Sequence, residues 1–133
     1  MYKKKLFISL LVLLCLSSFE NIYAQTEEQK KASKIILETF CQKHYSSCFS
    51  GRSYVENTLT VEKIEQTSLN QIKVSGYHTY TGRFGARYTL KDYYAYIKFN
   101  SNDTFEIKFY KRSMADLLNP EDYWEDCTKT LYP

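Results

Sequence analysis

The run Cys41-Gln42-Lys43-His44-Tyr45-Ser46-Ser47-Cys48 carries the most reactive side chains in the sequence. On a helix, Cys41 and His44 share a face, as a thiolate–imidazole pair would need for nucleophilic catalysis. Adding Cys48 and Cys127 makes a Cys3His set of the kind that holds structural zinc. The spacing matches no paired-ligand zinc motif, and a disulfide beside a surface histidine accounts for the same residues. A second set, His78, Tyr80 and Asp92, would suit general acid–base work on a small apolar ligand. No fixed spacing ties those three together, and polar residues near the ends of half-buried strands are the plainer reading. The sequence has no Gly-rich phosphate loop, no His-Glu-x-x-His, no Gly-x-Ser-x-Gly and no calcium loop. The expectation is a protein without catalysis, cofactor or metal.

Tyrosine is the unusual residue. The chain holds 13, and those between Tyr77 and Tyr110 fall in a stretch that alternates with period two. The alternation puts Tyr77, Tyr94, Tyr96 and Tyr110 on the face away from the core, with Lys73, Lys98, Lys108 and Glu106 among them. Arg83 and Phe84 sit at an adjacent turn, Thr81-Gly82-Arg83-Phe84-Gly85. Tyrosines also stabilise exposed strands through cross-strand pairs, each worth about 0.2–1 kcal/mol, with no function implied. Read functionally, rigid rings with cationic neighbours form a contact surface, because ordering them costs little entropy. Charge divides along the chain: residues 63–112 are mostly basic, whereas residues 113–133 are mostly acidic. The acidic tail, with Asp116, Glu121, Asp122, Glu125 and Asp126, can fold back on the basic sheet or address a basic partner.

The elements that position these residues follow a leader. Lys3, Lys4 and Lys5 precede an apolar run from Leu6 to Leu16 and a polar stretch ending Ile22-Tyr23-Ala24-Gln25. That order reads as a signal peptide over 1–24, cleaved after Ala24, with a single domain over 25–133. The apolar run is too short to span a bilayer comfortably, so no stable membrane insertion is expected. Leu14 before Cys15 is the wrong residue for a lipobox. The whole chain carries a net charge of +3, and loss of the leader brings it close to neutral. With 44% hydrophobic and 25% charged residues, it is neither a disordered polyelectrolyte nor a nucleic-acid binder.

Thr26 and Gln29 form a capping box, and Ala32, Ile35, Ile36 and Phe40 recur at helical spacing, which predicts one amphipathic helix from about Glu27 to His44. Leu59 and Val61 begin a first strand, and Ile72 and Val74 a second that bulges or bends at Gly76. Tyr93, Ala95, Ile97 and Phe99 share a face of the third. Asn100-Ser101-Asn102-Asp103 is a hairpin turn leading to the fourth strand, with Phe105, Ile107 and Phe109. Met114 to Pro133 reads as an irregular or briefly helical tail. Cys41, Cys48 and Cys127 remain after cleavage. Cys41–Cys48 is the favoured disulfide, provided the helix breaks at Ser46-Ser47, because seven helical residues span about 10 Å and a bridge tolerates about 4.4–6.8 Å. A bridge from either to Cys127 would pin the tail.

One helix before a four-stranded antiparallel meander is an α+β two-layer sandwich. By element order it resembles the cystatin-like architecture. Only about thirty residues precede the first strand, fewer than the several helices of the related NTF2-like cone would need. The cystatin inhibitory motif Gln-x-Val-x-Gly does not transfer, since Gln71-Ile72-Lys73-Val74-Ser75-Gly76 is one residue too long, and Pro120 and Trp124 are apart. The expected role is a small exported protein-binding module, periplasmic or secreted, of inhibitor or immunity type. It would act through Tyr77, Tyr94, Tyr96, Tyr110, Arg83 and Phe84 on a protein partner, and a homodimer through the sheet is compatible with the same face. The alternative is a small-ligand or glycan binder with a pocket between helix and sheet lined by Phe40, His78, Tyr80 and Tyr93. An NTF2-like enzyme using His78 ranks below both.

Overall fold

The computed structural model describes residues 27–82, 91–112 and 124–132. The leader, the Arg83–Phe84 turn and most of the acidic tail lie outside the described residues. Helix α1 spans Glu27–Cys48. Among the described residues seven strands follow: β1 (Ser53–Tyr54), β2 (Lys63–Ser68), β3 (Gln71–His78), β4 (Tyr80–Thr81), β5 (Lys91–Phe99), β6 (Phe105–Arg112) and β7 (Trp124–Leu131). The five long strands form one antiparallel sheet in the order β2-β3-β5-β6-β7, and β1 pairs with β4 in a two-stranded ribbon. The result is one helix on one face of an antiparallel sheet, an α+β architecture.

Helix α1 begins with Glu27 and Glu28, acids that complement the positive end of the helix dipole. Its buried stripe is Gln29, Ala32, Ser33, Ile36, Leu37, Phe40, Cys41 and Tyr45. Ile35, expected on that stripe, is rotated to solvent at 44% exposure, and Leu37 takes the inward place. The helix also runs four residues beyond His44. Ser47 does not break it, because its hydroxyl donates to the His44 carbonyl one turn back. The stop comes at Gly51, whose φ of 77° is the left-handed conformation that glycine adopts without a Cβ clash.

That continuity corrects the expected Cys41–Cys48 disulfide. Two full helical turns separate the two residues, about 10 Å. Cys41 is a buried thiol, and Cys48 bonds instead to Cys127, with 5.4 Å between their Cα atoms. The tail is correspondingly more regular than expected. Residues Trp124–Leu131 form a fifth long strand, so the sheet has five members rather than four. Glu125, Cys127 and Leu131 alternate inward, and Leu131 sits opposite Phe105.

The first strand of the main sheet, β2, starts later than the apolar pattern suggests, at Lys63, but the chain already runs along β3 before it. Thr60 and Glu62 donate their amides to the carbonyls of Tyr77 and Ser75. The segment crosses Gly76 so closely that a Cβ there would lie 2.1 Å from the Thr60 carbonyl oxygen. Gly76 itself stays in register, opposite Tyr93. Its role is therefore close backbone approach, and the missing side chain lets the Tyr93 hydroxyl donate to the Thr60 carbonyl at 2.6 Å. The Asn100–Asp103 turn matches expectation, with Asp103 at φ 66° and Phe99 facing Phe105 across its base.

Candidate functional site

Two groups of side chains in the fold have chemistry worth weighing, one inside and one outside. The inner group lies under the C-terminal half of α1. His78 is fully buried in the face of β3. Its Nδ1 lies 2.9 Å from the Lys91 carbonyl, which can only accept, so Nδ1 carries the proton. Nε2 then accepts from the Tyr45 hydroxyl at 2.8 Å. Burial, with the Lys111 cation nearby, lowers the imidazole to about 4, so it stays neutral at ordinary pH. Burial likewise raises the Tyr45 phenol.

Lys111 is the second buried polar group, at 0% exposure. Its ammonium pairs with Glu125 at 2.7 Å and lies 4.8 Å from the Tyr80 ring centroid and 4.9 Å from that of Phe49. The cation is thus enclosed by two aromatic faces and one carboxylate from β7.

This geometry rearranges the sequence-based constellations. Asp92 alternates onto the opposite side of the sheet from His78 and Tyr80, where it accepts from Arg112 at 3.3 Å. Cys41 is in the core, its thiol pushed up by burial and by Glu38, which removes the thiolate a nucleophile needs. His44 packs its ring on Phe40. Among the described residues, no three His, Cys, Asp or Glu side chains converge as a metal site. The expected pocket between helix and sheet is filled by its own lining. Phe40, His78, Tyr80 and Tyr93 are all buried, and Phe40, His78 and Tyr93 each pack against Phe109, with centroids 5.2–5.8 Å away.

The outer face is built by the strand alternation. Tyr77 on β3, Tyr94 and Tyr96 on β5 and Tyr110 on β6 all point away from α1. Tyr94 and Tyr110 are cross-strand partners and stack at 4.4 Å with planes 15° apart. Tyr96 meets both edge-on, at 6.2 and 6.3 Å. Tyr77 stands at the β3 side, paired with Asp92 and 37% exposed, without joining the ring lattice.

Trp124 completes the lattice and was not anticipated. It stands edge-on to Tyr94 at 4.8 Å, while the Arg112 guanidinium lies 4.7 Å from its centroid. The alternation of Thr128, Thr130 and Leu131 was the available signal that its segment is a strand. Lysines cover the rings as well: Lys73 lies 4.9 Å from Tyr94, and Lys108 lies 5.4 Å from Tyr110. The outward charges are Lys63, Lys73, Lys98, Lys108 and Arg112 against Glu65, Asp92, Glu106 and Asp126. The tail strand, by adding Asp126, nearly neutralises a face that the sequence alone made basic.

Two open cavities flank the lattice. One, of about 310 Å³, lies between Tyr77, Tyr94 and Trp124, and the other, of about 210 Å³, lies beside Tyr96 and Tyr110. No helix among the described residues is long and apolar enough to cross a membrane. Compared with protein-family models, curated proteins and solved structures, the chain finds no match, so the site has to be read from its own geometry.

Proposed function

We propose that this chain is a small exported binding module that captures a protein partner on the outer face of its sheet. The observation that carries the reading is the lattice of Tyr94, Tyr96, Tyr110 and Trp124, locked ring against ring outside the core. Aromatic side chains ordered before binding lose little entropy when covered, which favours a contact surface. The leader over 1–24 and the Cys48–Cys127 disulfide both suit a periplasmic or secreted setting. A single domain of this size suits an inhibitor or immunity role without catalysis, and by element order we read it as resembling the cystatin-like architecture.

The test is affinity capture by tagged Gln25–Pro133 from the cell envelope and medium of its own source. The wild type should retain one stoichiometric protein, competed by untagged domain. Tyr94→Ser/Tyr110→Ser should lose at least tenfold in affinity while keeping its melting temperature within a few degrees. Undiminished capture by a folded double variant would reject the outer face as the contact surface.

A further inference from the structure

We infer that the cavity at the Trp124 end of the outer face is a subsite for one ring of a neutral oligosaccharide. The proposal shares the outer face with the reading above but requires no protein partner. Three features of the cavity converge on a sugar. Tyr77 and Trp124 line the cavity with rings of the kind that stack on the C–H face of a pyranose, and Tyr94, covered by Tyr110 and Lys73, closes it between them.

Two of these residues, Tyr94 and Trp124, are held in place before any ligand arrives. Tyr94 is stacked on Tyr110, and Trp124 is held between Tyr94 and the Arg112 guanidinium. The same guanidinium donates to Asp92, which ties the indole and the carboxylate to one anchor. Between the rings, the lining offers hydrogen-bond donors and acceptors together: Lys63, Lys73 and Ser75 beside Glu62, Glu65 and Asp92. A ring bearing several hydroxyls can use both kinds at once.

Charge selects a neutral ligand. Lys63 pairs with Glu65 at 2.6 Å, Asp92 with Arg112 at 3.3 Å, and Lys73 sits over the Tyr94 ring. Two pairs leave Lys73 and Glu62, which cancel in sum, so the cavity with Arg112 has no net charge to draw a phosphate or an ammonium. An ion bound at Lys63, Glu65 or Asp92 would have to break an existing pair, whereas hydroxyls can bond to the outer lone pairs and protons of each. The second cavity has two lysines, Lys98 and Lys108, against Glu106, and so lacks this balance.

The chain supplies its own reporter, because Trp124 is its single tryptophan and it lines the cavity. The experiment titrates the whole mature protein with cellohexaose, maltohexaose, xylohexaose and chitohexaose while following tryptophan emission. At least one should give a saturable change with a dissociation constant on the order of 1 mM or tighter. Tyr77→Ala, which removes an exposed wall and leaves the core intact, should weaken it at least fivefold. Lys98→Ala, at the other cavity, should leave it unchanged.

No saturable change with any of the four up to about 10 mM would overturn the proposal. A response that survives Tyr77→Ala in a folded variant would do the same, as would a response to glucose 6-phosphate in place of the neutral sugars. Since the titration uses the protein by itself, its failure leaves capture of a protein partner standing.

Discussion

His78 shows at the scale of one residue how placement sets chemistry. In the sequence it was a candidate acid or base; in the fold it is a neutral hydrogen-bond relay between Tyr45 and the Lys91 carbonyl. Its value of about 4 lies below the ordinary 6.5, so the unfolded chain takes up the proton first. The contribution of neutral His78 to stability is therefore full above about pH 6.5, declines between 6.5 and 4, and is lost below that window. The shift corresponds to about 3 kcal/mol. Urea unfolding at pH 7.5 and pH 4 should show the wild type losing that much more than His78→Gln, which has no proton to gain. Equal losses in the two proteins would remove the assignment. The buried Lys111 is placed differently: its ammonium lies 2.7 Å from Glu125, and neighbouring ring faces supply the rest of its surroundings.

At the scale of elements, β7 is the part most dependent on a covalent link. Along its eight residues only Leu131 is buried, so apolar packing contributes little to holding this edge strand. What attaches it is the ladder to β6, the Glu125–Lys111 ion pair and the Cys48–Cys127 disulfide. The bridge closes a sequence separation of 79 residues, for which the chain-entropy model gives about 4–5 kcal/mol. Cys127→Ser should lower the unfolding free energy by about that amount. Amide exchange should then reach β7 before β5. Retained stability and retained β7 protection in that variant would show that the ladder suffices. Non-reducing peptide mapping of the wild type should join the Cys48 and Cys127 peptides and leave Cys41 alkylatable only after unfolding.

At the scale of the whole molecule, α1 and the sheet divide the aromatic residues into two populations. Phe40, Tyr45, Phe49, Tyr80, Tyr93 and Phe109 fill the layer between helix and sheet, while Tyr94, Tyr96, Tyr110 and Trp124 lie across the other face. The outward charges on that face nearly cancel, so long-range steering contributes little to encounter. Once the protein partner is in hand, its affinity should change less than threefold between 50 and 500 mM salt, as read by calorimetry. A fall of tenfold or more would mean that the lysines, and not the rings, dominate the contact.

The sequence by itself determined the helix, the strands around Val74, Ile97 and Ile107 and the outward direction of the four tyrosines. All of these follow from local periodicity, since a strand that buries alternate residues has no freedom about where the others point. At Gly76 it pointed to a bulge or bend, whereas the residue stays in register and the reason for glycine is the close approach of Thr60, a long-range contact. The tertiary structure decided what depends on residues far apart in the chain. It chose Cys127 over Cys41 as the partner of Cys48, because an unbroken helix keeps the nearer cysteine two turns away. It made the polar tail a strand, paired along the β6 edge with Glu125 on the Lys111 ammonium. With that strand came Trp124 and Asp126, which turn a row of tyrosines into a nearly neutral aromatic face.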